Sequence, residues 1–267
     1  MNIVILAAGM GKRMHSRLPK VLQPLAGRPM LDHVLSAVDA LATEKVVVVG
    51  HCAQEVKDHY EGQSGLRFVL QMPQLGTGHA LMQAWPALDK AQSHTLVCLG
   101  DVPLLSSATV EKMKAQAKGD DLVLLTVNLD QPKGYGRIVR NAQGQVTSIV
   151  EEKDATDEQR AIREVNTGIM LLPTARLDGW LKRLSNDNAQ QEYYLTDLIG
   201  FAAQDGVAIS TVQPDHVYEV EGVNSKVQLV TLERVWQRAQ AQRLLEAGVT
   251  LIDPDRIDIR GELVCGR

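Results

Sequence analysis

Residues 3–14, "IVILAAGMGKRM", begin with four apolar residues and end with two glycines and two adjacent cations. The apolar run 3–6 has no polar alternation, which is typical of a strand covered on both faces of a parallel sheet. Glycine allows positive φ and lets backbone N–H groups approach a ligand closely. Gly9 and Gly11, followed by the two cations, therefore predict a phosphate site at the end of a buried strand.

The composition predicts a soluble globular protein. The chain has 267 residues, 45% of them hydrophobic, which is enough for a full core. A net charge of −4 provides no overall basic field, so no nucleic-acid partner is expected. The three cysteines form no C-x-x-C pair, which favours a reducing cytoplasm over a zinc site or a disulfide framework. No run of about 18 apolar residues occurs, so no membrane role is expected.

Four further strand-like runs follow, and helical patterns separate them. The runs are KVVVVG (45–50), LRFVLQ (66–71), HTLVCLGD (94–101) and DLVLLTV (121–127). One helix is predicted to begin after Pro29, and Ser106 is the predicted cap of another. This βαβα order predicts an α/β fold with a doubly wound, mostly parallel sheet and right-handed crossovers.

The pattern changes after residue 128. "GRIVRNAQGQVTSIV" predicts two short strands around a turn at 141–144, and "NTGIMLL" predicts another strand, so a small second lobe is expected from about residue 128. A helix is predicted at about 193–205. A long C-terminal helix is predicted from Ser225 to Ala247, with Gly248 as its stop. Residues 248–267 alternate weakly and have no evident apolar partner, so the chain is expected to be part of a longer protein.

The opening loop fits neither of two common phosphate-binding motifs. A Walker A loop needs a wider glycine spacing and a hydroxyl where Arg13 stands. A dinucleotide fingerprint needs a small residue at Met14 and an acid at the end of the next strand, whereas Asp32 lies in a predicted helix. An ordinary turn with solvated cations remains an alternative.

Lys20 and Asp101 are candidates with ordinary alternatives. Lys20, in "RLPKVL", has no acid nearby in the sequence, so a solvated lysine is the simplest interpretation. Asp101, in "LGDVPLL", follows an apolar strand at the sheet edge where ligands bind, although a turn or a helix cap also explains it. One carboxylate suits Mg²⁺, which keeps waters and takes oxygens from substrate phosphates.

The segment "QLGTGHAL" (74–81) is a glycine-bracketed loop that opens a helix, and it would let backbone groups approach a flat base. Gln71 precedes it, and an amide can pair with the N3–H and O4 edge of uracil, donating and accepting at once. Ordinary helix entry and a surface glutamine remain open. "KGYGRI" (133–138), "IVEEKDA" (149–155) and "EVNTGI" (164–169) offer polar groups of the kind that sugar hydroxyls need.

Taken in order, a set of motifs resembles the sugar-phosphate nucleotidyltransferases. The motifs are "LAAGMGKRM", "LPKVL", "QLGTGHA", "GDVPL", "GYGRI", "VEEKDAT", "VNTGI", "EYYLTDLI" and "EVEGVNS". Within that group the match is to the bacterial N-acetylglucosamine-1-phosphate uridylyltransferases, over residues 3–267. The resemblance implies a Rossmann-like fold of the nucleotide-diphospho-sugar transferase type. It also implies conversion of UTP and N-acetylglucosamine 1-phosphate to UDP-N-acetylglucosamine and pyrophosphate, for cell-wall and lipopolysaccharide synthesis.

The resemblance also implies site residues. Those implied for the nucleotide are Leu6, Ala7, Ala8 and Gly9, with Arg13 and Lys20 at the phosphates and Gln71, Gly76 and Thr77 at the uracil. Those implied for the amino sugar are Gly136, Glu151 and Asn166, while Leu99 and Gly100 complete the substrate-binding set. Asp101 and Asn224 are the implied Mg²⁺ ligands, and composition and spacing do not mark Asn224. Arg13, Lys20 and Asp101 are the implied catalytic residues.

The resemblance implies three segments: a uridylyltransferase domain over 1–224, a linker helix over 225–247 and the start of a left-handed β-helix domain over 248–267. Members are normally bifunctional, and that last domain acetylates glucosamine 1-phosphate and forms trimers. A homotrimer is therefore expected of the full-length protein, whereas the oligomeric state of these 267 residues stays open. No acetyltransferase activity is expected from them.

Three positions depart from the family pattern. Leu99 replaces a common tyrosine, which changes little if that position acts through its backbone. Gln191 and Ser225 replace a usual glycine and asparagine, which leaves the local loop geometry open.

Other functions remain open from the sequence. A related nucleotidyltransferase would use cytidine or thymidine triphosphate or another sugar phosphate, and a nucleotide-sugar sensor would keep the pocket without turnover. A metal-dependent glycosyltransferase would usually carry a D-x-D pair, where "GDVP" offers Asp101 alone.

Overall fold

The computed structural model describes residues 1–261 and 263–266. Within them the strands are β1 (Asn2–Leu6), β2 (Pro24–Leu25), β3 (Arg28–Pro29), β4 (Lys45–Val49), β5 (Leu66–Leu70), β6 (His94–Leu99), β7 (Leu122–Asn128), β8 (Arg137–Arg140), β9 (Val146–Val150), β10 (Glu164–Pro173) and β11 (Ile209–Val212). The helices are α1 (Met30–Val38), α2 (Ala53–His59), α3 (Thr77–Ala84), α4 (Ser107–Gln116), α5 (Asp157–Arg160), α6 (Thr174–Leu181), α7 (Asp197–Gln204) and α8 (Lys226–Glu246).

The centre of the molecule is a nine-stranded sheet with the order β11-β7-β10-β6-β1-β4-β5, and β8 and β9 extend it from β10. The pairs β1–β4, β1–β6, β4–β5 and β7–β11 are parallel, whereas β10 runs antiparallel to β6 and β7. The predicted α/β fold with a doubly wound, mostly parallel sheet is confirmed. So is the long C-terminal helix.

The central strands are buried because helices cover both faces of the sheet. All five residues of β4 are buried, and neighbouring residues of β1 pack into different cores. Ile3 and Ile5 join the core on one face and Val4 joins the core on the other. A continuous β-branched run is the sequence that such a strand requires.

Helix starts and stops follow their local sequence. Ser106 Oγ accepts the Thr109 backbone N–H at 3.1 Å at the start of α4. The Ser225 side chain does the same for α8, and Gly248 ends α8 with a φ of +90°. These caps satisfy backbone groups that a helix end leaves unpaired, which explains why the sequence predicts them.

Several elements differ from expectation, and the short elements β2, β3, α5 and α6 were not predicted. The helix predicted from 193 begins at Asp197, because the preceding backbone bonds to another segment: Tyr193 N–H donates to Leu75 at 2.8 Å. Strand β11 was not predicted, since its four residues are all half-buried and show no clear alternation.

A third core, defined here as Met14, Leu25, Ala26, Met30, Val223, Leu229 and Leu232, joins the segment after the opening loop to α8. It lies outside the two cores that cover the sheet. The start of α8 is thereby fixed against residues from the beginning of the chain.

The parallel strands place several loops at one edge. Leu6 pairs with Val48 of β4 and with Leu99 of β6, so β1, β4 and β6 end together. The loops that follow them gather where ligands bind in open α/β sheets.

The predicted boundaries at residues 128, 224 and 247 remain predictions. The segment 248–267 includes Glu262 and Arg267, which lie outside the described residues. Among the residues described, none of the helices combines the length and the apolar character needed to cross a membrane.

Candidate functional site

Two cavities, each of about 370 Å³, lie side by side at the carboxyl edge of the sheet. Of the residues that the sequence predicts, the first is lined by Leu6, Ala7, Ala8, Gly9, Lys20, Gln71, Gly76 and Thr77. The second is lined by Arg13, Gly136, Glu151, Asn166 and Asn224. Leu99 and Asp101 line both cavities. We call the two the loop cavity and the lobe cavity.

The two glycines of the opening loop differ in their surroundings. Gly11 has a φ of +60°, and a Cβ there would lie 2.8 Å from Lys20 Cβ. Gly9 is not in the positive-φ region, and a Cβ there would meet nothing within 4 Å. Gly11 is thus required by the protein's own packing, whereas the side of Gly9 is open toward the loop cavity.

Lys20 lies between two candidate ligand residues. Its side chain is 10% exposed and forms an ion pair with Asp101, and Nζ donates to Asn224 Oδ1 at 2.8 Å. Interpreting Lys20 as a solvated lysine is therefore wrong. Local sequence gives no sign of this, because the partners lie 81 and 204 residues further along the chain.

Backbone contacts bring Asn224 to this point. Val223 N–H donates to the Asp101 carbonyl at 2.8 Å, and Asn224 N–H donates to Gln228 Oε1 at 2.8 Å in the first turn of α8. The start of a helix and the end of β6 are thus held together around the Lys20 ammonium group.

The donor set at this point fits a magnesium ion. Asp101 and Asn224 direct a carboxylate and an amide oxygen at the same cationic group. Hard oxygen donors of this kind suit Mg²⁺, which takes few protein ligands and fills its shell with water and phosphate oxygens. Among the described residues, no cluster of three or more His, Cys, Asp and Glu side chains could hold a metal.

The loop 74–78 forms one wall of the loop cavity and is fixed by residues 192–195. Gly76 has a φ of +104°, and a Cβ there would lie 2.6 Å from the Tyr193 carbonyl oxygen. Gly78 N–H donates to that carbonyl at 2.8 Å, and Leu195 N–H donates to Thr77 Oγ1 at 3.2 Å. Glycine is needed because the two backbones nearly touch.

Gln71 is 4% exposed at the end of β5, where its N–H donates to Val49 at 2.8 Å. Its Nε2 donates to the Gly76 carbonyl at 2.8 Å. The amide is therefore already tied to the loop that forms the wall.

Gln74 and Glu192 also line the loop cavity, and the sequence did not single them out. Gln74 Nε2 donates to the Ala8 carbonyl, which joins loop 74–78 to the opening loop. Nothing in a lone glutamine or glutamate inside a loop marks such a role.

The lobe cavity is lined in part by β10, by the loop before β8 and by the first residue after β9. Asn166 N–H donates to the Gly136 carbonyl at 2.9 Å, and Asn166 Oδ1 accepts from Gly168 N–H at 3.1 Å. A Cβ at Gly136 would lie 2.8 Å from Ile149 Cγ2 and 3.5 Å from both Glu151 carboxylate oxygens. Glycine leaves room above the Glu151 carboxylate.

Glu151 is half-buried beside the start of α7. Its Oε1 accepts from the Thr196 hydroxyl at 2.9 Å. Burial raises the pKa of Glu151, and the carboxylates of Asp154 and Glu192 add to this, while the Thr196 hydrogen bond opposes it. The carboxyl group can therefore hold a proton at a higher pH than an ordinary glutamate can.

Three predicted residues lie at the margins of this arrangement. Arg13 is exposed and lines the lobe cavity rather than the loop cavity, and within the described residues it forms no ion pair. Gly100 lines neither cavity, and its N–H donates to the Leu6 carbonyl at 2.9 Å. Leu99 packs close to Gly168, where a Cβ would lie 2.7 Å from Leu99 Cδ1. The roles assigned to all the site residues remain predictions.

Comparison with known proteins gives a family match and close relatives. The MobA-like NTP transferase domain matches residues 3–168. Proteins named "Bifunctional protein GlmU" are similar to the whole chain: those of Aromatoleum aromaticum and Bordetella petrii are 57% identical and that of Azoarcus sp. is 58% identical. The chain covers 58% of the first of these relatives and 59% of the other two, so it spans somewhat more than half their length.

A solved structure, a nucleotidyl transferase from Methanothermobacter thermautotroptrophicus, has the same fold. Its TM-score is 0.62 at 22% identity, over 89% of this chain and 98% of that one. At this identity the likeness is one of fold.

Proposed function

The chain belongs to the MobA-like NTP transferase family, and from that premise we propose that it transfers a uridylyl group from UTP to N-acetylglucosamine 1-phosphate, forming UDP-N-acetylglucosamine and pyrophosphate. Identity of 57–58% to proteins named GlmU over the whole chain supports this choice within the family. In this proposal the loop cavity takes UTP and the lobe cavity takes the amino sugar phosphate.

One observation carries the proposal: Lys20, Asp101 and Asn224 meet where the two cavities join. A transfer between two phosphate esters needs positive charge at the point where the donor and the acceptor meet. An ammonium group and a pair of oxygens able to hold a divalent ion supply it there.

The chemistry requires no protein base. The attacking group is a phosphate monoester whose second pKa is about 6, so near pH 7 it is already largely a dianion. The obstacle is repulsion between two anions, which positioning and charge neutralisation overcome during in-line displacement of pyrophosphate. Lys20 would stabilise charge at the α-phosphoryl oxygens, and Arg13 would offset the charge of the phosphates.

Asp101 and Asn224 would hold Mg²⁺, which would supply positive charge to offset that of the phosphates. Because the Lys20 ammonium group already contacts both oxygens, lysine and metal compete for the same donors. In a metal-bound protein the Lys20 ammonium group would be free to contact the substrate phosphates.

Gln71, Gly76 and Thr77 would hold the uracil, and Gly136, Glu151 and Asn166 would face the amino sugar. The product would serve cell-wall and lipopolysaccharide synthesis in the cytoplasm. We assign the acetyltransferase step and trimer formation to the part of the longer relatives that this chain does not match. We assign neither of them to these 267 residues.

A pyrophosphate-release assay tests the function. The purified chain is incubated with UTP and N-acetylglucosamine 1-phosphate, with and without Mg²⁺, then with CTP, dTTP, ATP or GTP in place of UTP, and then with another sugar phosphate in place of the amino sugar phosphate; UTP binding is measured in parallel by calorimetry. Pyrophosphate release that needs Mg²⁺ and is fastest with UTP is expected. Faster release with another triphosphate or sugar phosphate would replace the substrate assignment, and binding of UTP without release under any condition would indicate a sensor.

A further inference from the structure

The amide of Gln71 has only one orientation that its neighbours allow. Its Nε2 lies 2.8 Å from the Gly76 carbonyl oxygen and 3.2 Å from His79 Nδ1. A backbone carbonyl only accepts, so the amide end that faces it must be the NH₂ group. The two amide protons are then used, one by Gly76 and one by His79.

The orientation of Gln71 in turn fixes the proton on His79. Nδ1 can accept from the Gln71 NH₂ group only if it carries no proton, so the ring is neutral and its proton is on Nε2. His79 Nε2 lies 3.1 Å from the amide end of Gln83, one turn along α3. Because an Nε2–H needs an acceptor, the Gln83 amide must turn its oxygen toward the ring.

The remaining group of Gln71 faces the loop cavity. Gln71 lines that cavity. Among the described residues, Ser210 Oγ is the one side-chain polar atom that is both fully buried and without a hydrogen-bond partner. Gln71 Oε1 makes no hydrogen bond within that part of the chain and is not that atom, so it is accessible to solvent. With both amide protons engaged, Gln71 offers the cavity an acceptor alone. The sequence suggests that the Gln71 amide donates to uracil and accepts from it at the same time, but an amide held in this way can only accept.

We propose that His79 is a positioning residue for base selection: its neutral, Nε2-protonated ring locks the Gln71 amide so that only a base with a proton on the ring nitrogen that faces Gln71 Oε1 can pair. The inference rests on the proposed function, because it takes the loop cavity to be the uracil site. Uracil presents N3–H to an acceptor, whereas cytosine presents an unprotonated N3. Two acceptors facing each other leave both unpaired, and a site built in this way rejects the wrong partner.

The lock is sensitive to pH in one direction. Burial lowers the pKa of His79 below its ordinary 6.5. The groups next to the His79 ring are the Gln71 and Gln83 amides and the phenol ring of Tyr193, whose centroid lies 6.2 Å from that of His79. Among the described residues, no charged neighbour shifts the pKa of His79. Protonation would put an N–H on Nδ1 against the Gln71 N–H, so uracil binding should weaken as the pH falls.

Binding of UTP and CTP to three proteins tests the lock: wild type, His79→Leu and His79→Asn. Asparagine carries Oδ1 two bonds from Cβ, as histidine carries Nδ1, so it keeps the acceptor and cannot titrate. Calorimetry with Mg²⁺ present, from pH 5 to 8, gives the CTP-to-UTP ratio of dissociation constants for each protein. Circular dichroism checks that each variant folds.

We expect His79→Leu to lower that ratio about tenfold, equivalent to about 1.4 kcal/mol, and His79→Asn to keep it within about threefold. Wild type should lose UTP affinity below the pKa of His79, while His79→Asn should lack that loss. Protonation of the UTP phosphates affects both proteins equally, so it cancels in this comparison. Gln83→Glu should shift the loss to higher pH, because an adjacent carboxylate favours the protonated ring.

Two results would overturn the inference while leaving the proposed function intact. One is a wild-type preference for UTP that His79→Leu retains in full. The other is a ring nitrogen NMR spectrum that places the His79 proton on Nδ1 at neutral pH. A wild-type protein with no preference for UTP over CTP would contradict the proposed function and this inference together.

Discussion

Lys20 illustrates how much at the residue scale depends on distant parts of the chain. Its neighbours in sequence favour a solvated side chain, yet it is almost buried between Asp101 and Asn224. Gly11 is explained in turn by Lys20, whose stem occupies the place of a Cβ. The glycine can be predicted from the motif, but its contact cannot, because the partners come from three separate segments.

Replacing Lys20 by methionine should have two opposite effects. Without nucleotide, Mn²⁺ used as a probe should bind more tightly, because no ammonium group competes for the two oxygens. Turnover should fall by about 10² to 10³, the usual cost of losing one preorganised charge donor. Electron paramagnetic resonance measures free Mn²⁺, and pyrophosphate release measures turnover.

Lys118→Met is the matched control, since Lys118 is exposed and lines neither cavity. It should change neither quantity appreciably. Equal Mn²⁺ affinity in wild type and Lys20→Met would show that lysine and metal use different groups.

Gln191 is a second position at which one residue decides the geometry. It has a φ of +55° and is exposed. The left-handed region costs an ordinary L-residue about 1–2 kcal/mol, and the extra chain entropy of an unfolded glycine offsets about half of this. Gln191→Gly should therefore raise the free energy of unfolding by about 0.5–1 kcal/mol, measured by urea denaturation.

The same substitution inside a helix provides the comparison. Gln242→Gly, on the exposed side of α8, should lower stability by about 1 kcal/mol. If both variants lose stability, the backbone at 191 does not favour glycine.

At the scale of elements, the first residue of α7 couples stability to pH. Burial raises the pKa of Asp197 to about 6, and the carboxylates of Glu151 and Asp154 add to the effect. The ordinary value of this pKa is 3.8, so the folded protein holds a proton that the unfolded chain releases, and wild type loses stability as the pH rises from about 4 to 6.

Asp197→Asn removes that loss. The variant should match wild type near pH 4 and exceed it by about 1 kcal/mol above pH 6, a fraction of the full shift because the side chain is only half-buried. Urea denaturation at several pH values measures the difference.

Asp205→Asn is the control of opposite sign. Hydrogen bonds from Trp180 and Arg183 lower the pKa of Asp205 below its ordinary 3.8, so this variant should lose stability relative to wild type as the pH rises toward about 4, and the difference should stay constant above that pH. A pH-independent difference for Asp197→Asn would contradict the assignment.

Which elements could be predicted depended on how strongly each pattern repeats. β1, β4, β6 and β7 are apolar runs buried on both faces, and the capped helices α4 and α8 carry serine at their starts. β11 is short and half-buried throughout, so it gave no signal. The start of α7 could not be placed, because the loop before it is held by residues from another segment.

At the scale of the whole molecule, the third core connects the beginning of the chain to α8. Leu232 is 1% exposed within it. Leu232→Ala should cost about 3 kcal/mol by leaving a cavity, and it should weaken Mn²⁺ binding because α8 carries Asn224 at its start. Denaturation and Mn²⁺ titration measure the two effects.

Val230→Ala is the control on the same helix. Its side chain is 62% exposed, so the change should stay within about 0.5 kcal/mol and leave Mn²⁺ binding as in wild type. A stability loss in Leu232→Ala with unchanged Mn²⁺ affinity would show that the packing of the third core does not affect the position of Asn224.

The fold class followed from the order of strands and helices, whereas the joining of two cavities did not. Local patterns predict which residues end a strand, and parallel pairing then gathers those ends at one edge. Asn224 lies 123 residues beyond Asp101 in the sequence and reaches it through the Val223 backbone and the cap of α8. Only the resemblance to a family could point to it.

The amine held by Asp101 and Asn224 has a practical consequence for handling the protein. Stripping a divalent ion from an ordinary carboxylate site leaves bare oxygens that distort or loosen the surroundings. Here the Lys20 ammonium group contacts those oxygens when no metal is bound, so treatment with EDTA should lower the melting temperature only slightly. Stocks kept free of metal should regain full activity as soon as magnesium is restored.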